Sequence, residues 1–233
     1  MKQPCELEQT DLRFGDPRLY YPESIERAIR RNLNAFWGDV LDVGCGNMPY
    51  RELILNGAKG AHSYIGLDLY SGPYGGYAAD VEWDGTVIPF EDCVFGSALS
   101  TEVLEHCPEP SITLKEIHRV LQPGGFLFVS APFLWPLHDA PNDFWRFTPF
   151  GLQKILSVAG FCRIDVRKQG GWYASLAQII QLCGHRAPIA DWKASLIRLF
   201  GAIVIPLLLK LDAPERSSCS SLFTGLCATA HKS

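Results

Sequence analysis

Short apolar runs alternate along this chain with segments whose apolar residues recur at helical spacing. The apolar runs predict strands at residues 40–43, 63–68, 77–80, 94–100, 126–130, 161–166 and 222–230. The other pattern predicts helices at residues 22–35, 49–56, 110–121, 149–158, 172–184 and 191–211. Strands that alternate with helices indicate an α/β fold, with an open, doubly wound sheet covered by helices on both faces.

The first predicted strand ends in Asp42-Val43-Gly44-Cys45-Gly46. Glycines let the backbone turn sharply and approach a ligand closely, because they have no Cβ. A dinucleotide site requires a third glycine where the following helix packs, and Pro49 stands there instead. A carboxylate before the turn would repel a pyrophosphate but attract the ammonium of a bound amino acid. The alternative is a tight strand–helix turn without a ligand.

The ordered motifs of the chain resemble class I S-adenosylmethionine (SAM) methyltransferases of the type 11 group. The matching pieces are Leu41–Gly46, Ile65–Asp68, Asp80–Val81, Pro89–Phe90 with Leu104–His106, Leu114–Gly125 and Ala159–Phe161. Each piece is weak alone, but their order and spacing together are specific. The resemblance runs from Val40 to Phe161. It implies a Rossmann-like, mostly parallel seven-stranded sheet in a single domain over residues 1–233. We expect residues 1–36 to form an N-terminal helical cap and residues 172–215 a variable, apolar helical lid before the last strand.

The resemblance also implies S-adenosyl-L-methionine as the cofactor and assigns its contacts. Asp42 would face the methionyl end through its loop, and Asp68 would accept hydrogen bonds from the ribose hydroxyls. Asp80 and Val81, expected just after the third strand, would hold the adenine. The complete predicted cofactor set is Asp42, Gly44, Cys45, Gly46, Asp68, Leu69, Asp80, Val81, Ser100 and Thr101.

Composition narrows the class of partner. The chain has 233 residues, 47% of them hydrophobic and 20% charged, with a net charge of −4. The composition is ordinary for a globular protein. The net negative charge gives no indication of nucleic-acid binding, which requires clustered basic residues. The polar start of the chain lacks signal-peptide character, so we expect a cytoplasmic protein. Its eight cysteines form no Cys-x-x-Cys pair, and the histidines add no zinc-site spacing. We therefore expect reduced thiols and no metal site.

Most of the candidate catalytic residues lie at residues 132–148, in the loop after the fifth strand. Methyl transfer is an in-line displacement, for which a hydroxyl or ammonium acceptor also needs a base. His138 titrates near neutrality, and Asp143 and Arg146 complete the predicted catalytic set. The loop aromatics are candidates to wall a dry pocket, and they are Phe133, Trp135, Phe144, Trp145 and Phe147. The alternative is that Asp143 and Arg146 only pin the loop, with Thr148 capping the next helix.

Two further segments carry open alternatives. Glu102, Glu105 and His106 follow the fourth strand, and a junction near the cofactor is favoured over direct catalysis. The run at residues 199–209 is apolar and flanked by Arg198 and Lys210. It is too short to span a bilayer, which takes about 20 residues. It predicts either a core helix or a lid in peripheral membrane contact.

These features predict methyl transfer from SAM to a small-molecule, sugar or lipid-linked acceptor, at oxygen. Two alternatives remain at this point. One is a non-catalytic SAM-binding scaffold. The other is a nicotinamide-dependent oxidoreductase, which the missing third glycine disfavours.

Overall fold

Seven strands form one sheet in a computed structural model, which describes residues 20–69, 79–212 and 220–233. Their order across the sheet is β3-β2-β1-β4-β5-β7-β6. β7 is antiparallel to both of its neighbours, and the other adjacent pairs are parallel. The predicted mostly parallel, seven-stranded sheet is confirmed. The strands are β1 (Trp37–Val43), β2 (Gly60–Leu69), β3 (Val81–Trp83), β4 (Phe95–Thr101), β5 (Leu121–Pro132), β6 (Phe161–Gln169) and β7 (Gly225–Lys232).

The helices follow the predicted order. They are α1 (Tyr20–Arg31), α2 (Arg51–Gly57), α3 (Pro110–Val120), α4 (Pro149–Val158), α5 (Trp172–Arg186) and α6 (Asp191–Leu211), with 3₁₀ turns at Leu33–Ala35 and Leu104–His106. The predicted continuous helix to residue 35 is wrong at its end. The Asn32 side chain donates a hydrogen bond to the carbonyl of Ala28 and helps to end α1 at Arg31. The earlier part of the predicted cap, residues 1–19, lies outside the described residues.

The third strand differs from its prediction. It comprises Val81–Trp83 rather than residues 77–80, of which 77 and 78 are not described. Val81 and Trp83 pair with Leu67 and Leu69 of β2. The apolar residues on either side of Glu82 give the period of two that a strand needs, so the segment after Asp80 forms the strand.

The two faces of the sheet carry separate apolar layers. Val40 and Leu99 lie in one layer with residues of α1 and α2, whereas Leu41 and Val43 lie in the other with residues of α3 and α4. Because successive strand residues point to opposite faces, β1 contributes to both layers. The carboxyl end of β1 lies at the carboxyl-terminal edge of the parallel strands, where ligands bind in such folds.

Helix α6 lies outside these layers. It has 21 residues and is long and apolar enough to cross a membrane by length and composition. Only 17% of its most apolar window is buried, and Ile203 is 74% exposed. The prediction of a core helix is therefore wrong. α6 packs on α5, whose Gln178 side chain donates to the carbonyl of Leu134 in the loop after β5.

Candidate active site

The glycine turn after β1 is joined to the end of β2. The amides of Gly44 and Cys45 donate to the carbonyl of Leu67 at 2.8 and 3.1 Å. The amide of Gly46 donates to Oδ2 of Asp68 at 2.7 Å, while Oδ1 accepts from the amide of Leu69 at 2.7 Å. The turn thus holds the Asp68 carboxylate at the sheet edge, where the sequence predicted a ribose contact.

The two glycines meet different surroundings. Both have positive φ, +76° at Gly44 and +49° at Gly46. A Cβ on Gly44 would lie 2.2 Å from Cγ2 of Val103, whereas a Cβ on Gly46 would meet none of the described atoms within 4 Å. The absence of a side chain at Gly44 therefore lets Val103, in the loop after β4, pack against the turn. The absence of a side chain at Gly46 leaves space for close approach of a ligand.

Asp42 lies buried beneath this turn. Its Oδ2 accepts from the hydroxyl of Tyr64 at 2.5 Å, and its Oδ1 has no hydrogen-bond partner among the described residues. Burial raises the pKa of Asp42 to about 7, although the hydrogen bond from Tyr64 opposes the rise. The Oγ of Ser100, at the end of β4, is likewise buried and unpartnered in the described part of the chain. Such groups fit a cofactor that brings an ammonium and a carboxylate.

Sequence reasoning missed Tyr64. Its signal was available, since Tyr64, Gly66 and Asp68 alternate along β2 and so share one face of the strand. A tyrosine that faces the same side as a predicted ligand-binding carboxylate, on the strand beside β1, is placed to meet Asp42.

The two residues predicted to contact the adenine, Asp80 and Val81, lie at the start of β3. Asp80 precedes β3, accepts from the amide of Gly66 at 2.8 Å and pairs with the guanidinium of Arg51 on α2. Asp80 thus precedes β3 and Val81 begins it, so their expected position after the third strand is wrong, whereas their contact with the adenine stays a prediction. The carboxyl end of β3 carries Asp84 instead, whose Oδ1 accepts from the amide and the hydroxyl of Thr86.

The loop after β5 is organised around Asp143. Arg146 donates to its Oδ1 and Oδ2 at 2.5 and 2.7 Å, and Nδ1 of His138 lies 3.1 Å from Oδ2. Arg146 also donates to the carbonyls of Trp135 and Pro136, so its guanidinium is engaged within the loop. The predicted structural ion pair is present. The predicted cap is present too, since Thr148 accepts from the amide of Gly151 at 3.0 Å.

The charges in this loop define the state of His138. Burial alone would raise the pKa of Asp143, but the hydrogen bonds from Arg146, the charges of His138 and Arg146 and the hydrogen bond from the His138 amide together outweigh it and lower that pKa. Burial lowers the pKa of His138, with partial opposition from the charge of Asp143. A neutral imidazole beside an ionised carboxylate donates from Nδ1, so the lone pair of His138 lies on Nε2.

The loop aromatics do not all wall a pocket. Phe133 stacks on Phe223 with ring centroids 4.2 Å apart, and Phe147 is buried in the core layer beneath α4. Phe147 therefore belongs to the core, and a pocket-wall role for the partly buried Phe133 stays a prediction. Trp135 is buried in the opposite layer, while Phe144 and Trp145 are exposed at the surface of the loop.

The loops after β4 and β5 meet at Glu105. Its carbonyl accepts from the amides of Phe144 and Trp145 at 2.8 and 3.2 Å. The ring of His106 lies edge-on to that of His138, with centroids 4.7 Å apart. The Glu105 side chain is fully buried, and burial together with the charge of Glu102 raises its pKa well above the ordinary value. The segment expected to be a simple junction thus joins the catalytic candidates in one polar cluster.

Comparison with known proteins shows what this chain is similar to. Residues 41–129 match the model of a methyltransferase domain. A sterol 24-C-methyltransferase, ERG6B, of Gibberella zeae is 34% identical over 146 residues, which cover 54% of this chain and 37% of the relative. A ubiquinone biosynthesis O-methyltransferase of Pseudomonas paraeruginosa is 28% identical over 140 residues, covering 55% of this chain and 56% of the relative. The chain thus spans about half or less of the length of these relatives.

A solved structure shares the fold. A SAM-dependent methyltransferase from Archaeoglobus fulgidus superposes with a TM-score of 0.57 at 17% identity, covering 90% of this chain and 94% of the other. The segment matched by the family model contains the glycine turn, Asp68 and Glu105, and it indicates S-adenosylmethionine rather than a nicotinamide as the cofactor. Residues 41–129 are thus similar to a methyltransferase domain, within a chain that has the fold of a solved SAM-dependent methyltransferase.

Proposed function

We propose that this protein transfers the methyl group of SAM to a hydroxyl oxygen of a lipid-linked or otherwise hydrophobic small molecule. One observation carries the proposal: the loop after β4 closes over the glycine turn. Val103 fills the space beside Gly44, and Glu105, two residues further on, contacts the loop that bears His138. The cofactor turn and the polar cluster therefore share one edge of the sheet.

The cofactor contacts in this proposal follow the observed edge. When bound, SAM supplies an activated methyl carbon. The backbone from Gly44 to Gly46 lines its site, and Asp68 accepts from its ribose while Leu69 flanks it. Asp42, Ser100 and Thr101 serve the methionine side. Asp80 and Val81 are left out because Asp80 precedes β3 and Val81 is its first residue.

We assign the acceptor contact to His138. Its Nε2 takes the hydroxyl proton as the methyl group moves, which such bases assist by typically 10²–10⁴-fold. Asp143 and Arg146 are positioning residues, because the first holds Nδ1 of His138 and the second holds Asp143. The neutral imidazole favoured by burial is the form that can accept a proton.

The hydrophobic character of the acceptor rests on α5 and α6. The Arg186 guanidinium of α5 lies 5.3 Å from the ring centroid of Trp135, in the loop that bears His138. An apolar groove of about 310 Å³ runs between the two helices, lined in part by Ile180, Ile197 and Ile205. One relative is named for a sterol and the other for ubiquinone biosynthesis. We infer that an apolar chain of the acceptor enters this groove.

The same helices support peripheral membrane contact. The exposed apolar residues of α6 are Trp192, Leu196, Leu199, Phe200, Ile203, Leu207 and Leu211. Oδ2 of Asp212, just after α6, accepts from the amide of Gly171 at 2.9 Å, so the end of α6 is tied to the start of α5. A helix held in this way along the domain suits a surface position on the bilayer better than a span. We propose a cytoplasmic protein in contact with the membrane surface.

Isotope transfer tests the proposal. Purified protein would be incubated with SAM carrying a deuterated methyl group and a lipid extract of the source cells. We expect a labelled methyl in a hydrophobic product by mass spectrometry, with turnover reduced about 10²–10⁴-fold in His138→Gln. S-adenosylhomocysteine binding, measured on the same preparations, checks that the variant is folded. Cofactor binding without label transfer would favour the non-catalytic scaffold.

A further inference from the structure

We propose that Glu105, His106 and His138 bind one divalent transition-metal cation. One potential ligand atom from each residue lies within 4.8 Å of the other two. Two of the residues belong to the 3₁₀ turn after β4, and His138 belongs to the loop after β5. Because β4 and β5 are parallel neighbours, their carboxyl ends bring these loops together at one edge.

The histidine tautomers suit a metal. Nδ1 of His106 lies 2.9 Å from the carbonyl oxygen of Asn142, which can only accept, so the ring proton is on Nδ1. Nδ1 of His138 faces the ionised Asp143 in the same way. Both rings therefore keep a lone pair on Nε2 while the opposite nitrogen donates to an oxygen. Metal-binding histidines are oriented by this second hydrogen bond.

Glu105 offers the third ligand, a carboxyl group that releases its proton when a cation binds. Its side chain is fully buried, and neither carboxylate oxygen has a hydrogen-bond partner among the described residues. Its Oε1 lies 3.8 Å from Nε2 of His106. A buried carboxylate without a partner is costly, and a bound cation would provide one.

The donor set selects the class of cation. Two imidazole nitrogens and one carboxylate suit Zn²⁺, Fe²⁺ or Co²⁺, whereas Ca²⁺ and Mg²⁺ prefer oxygen ligands alone. Ligands at about 2.1 Å in a tetrahedral site lie ~3.4 Å apart, so binding requires the side chains to close by about 1 Å. Oδ2 of Asp139 lies 4.0 Å from Nε2 of His106 and offers a further oxygen. The side chain of His106 is 24% exposed, which opens the cluster to solvent.

Cation binding itself does not rest on the proposed methyl transfer, although its consequence for the acceptor does. A cation bound to Nε2 of His138 would occupy the lone pair that, in the proposed function, accepts the proton of the acceptor hydroxyl. With the cation bound, the acceptor oxygen would be activated by a Lewis acid instead of by a general base.

Direct titration of the metal-free full chain tests the site. We expect one equivalent of Zn²⁺ by calorimetry, and Co²⁺ absorption with d–d bands but no thiolate-to-metal charge transfer. The latter matters because the described cysteines are free thiols. Removing one ligand in Glu105→Gln should weaken Zn²⁺ binding at least about 10- to 100-fold, and Asp143→Asn should weaken it in that range.

Controls separate this result from misfolding and from other sites. His231→Gln, which removes an imidazole on β7, should bind Zn²⁺ like the wild type. Circular dichroism and S-adenosylhomocysteine binding report folding. If Glu105→Gln does not fold, His106→Gln at a partly exposed position supplies the same test. Unchanged affinity in the folded ligand variant, thiolate coordination of Co²⁺, or no binding of Zn²⁺ would overturn the proposal.

Discussion

The amide of Gly46 donates a hydrogen bond to Oδ2 of Asp68 at 2.7 Å, so one carboxylate both braces the turn after β1 and ends β2. Asp68 therefore has an observed role in the fold of the turn and a proposed role as a contact of the cofactor ribose. Substitutions that separate these two roles are informative.

Asp68→Ala should weaken binding of SAM and of S-adenosylhomocysteine. Loss of charge-assisted hydrogen bonds costs about 1.5–3 kcal/mol, or roughly 10- to 150-fold in affinity. Asp68→Asn keeps an acceptor for Gly46 and should lose less. Isothermal calorimetry measures both, with the exposed Asp165→Asn on β6 as the matched control. Wild-type affinity in Asp68→Ala would contradict the ribose contact.

Alanine at the two glycines of the turn should act differently. Gly44→Ala forces a Cβ to 2.2 Å from Val103, in addition to its left-handed backbone. Overpacking of this kind typically costs about 1–3 kcal/mol of the free energy of unfolding. Val103→Ala in the same chain should restore part of that loss, since only the clash is relieved. Urea unfolding of the single and double variants provides the measurement, and no recovery would refute the clash.

Gly46→Ala should instead affect the cofactor. Its Cβ would meet none of the described atoms within 4 Å, so the stability cost is confined to backbone strain of about 1–2 kcal/mol. If the cofactor occupies the space above this glycine, the variant should fold but bind SAM much more weakly than the wild type does. Calorimetry on a variant with a cooperative thermal transition tests this. Retained affinity would place the cofactor elsewhere.

Asp42 should make stability depend on pH. Its pKa rises from 3.8 to about 7 on folding, chiefly through burial, so the folded state holds the proton more tightly than the unfolded state. This contribution is fully present below pH about 4 and is lost as the pH rises through about 7. The free energy of unfolding of Asp42→Asn should therefore fall less between pH 5 and 8 than that of the wild type. Parallel profiles for the two proteins would show that Asp42 does not titrate in this range.

Helix α6 should bring the protein to liposomes. Ile203→Ser with Leu207→Ser changes two exposed residues, so the fold should persist while apolar area for membrane contact is lost. We expect flotation of the wild type and its loss in the double variant. Val158→Ser, at an exposed position of α4, is the control for a general loss of surface hydrophobicity. A folded wild-type protein that stays unbound rejects the membrane contact.

Much of this architecture could be predicted from local patterns in the sequence. The bounds of α4, Pro149–Val158, coincide with their prediction, because Thr148 caps the helix, Pro149 starts it and Gly160 follows its end. The glycine turn and Asp68 were found for a related reason. A strand, a turn and an acidic strand end are each recognisable within a few residues.

Tertiary structure decided what depends on distant residues. His106 and Asn142 are 36 positions apart, and only the parallel pairing of β4 with β5 brings their loops together to form the cluster with Glu105 and His138. The third strand was misplaced because its alternating segment, Val81–Trp83, is only three residues long, and pairing with β2 decides which of two short neighbouring segments forms the strand. An apolar helix has the same sequence pattern whether it lies in a core or on a surface. Only the folded structure shows that α6 packs on α5 and is otherwise exposed. Local conformation depends on the side chains of neighbouring residues, so it can be predicted from a short stretch of sequence. Burial and the assembly of a site depend on contacts between residues far apart in the sequence, which only the folded chain brings together.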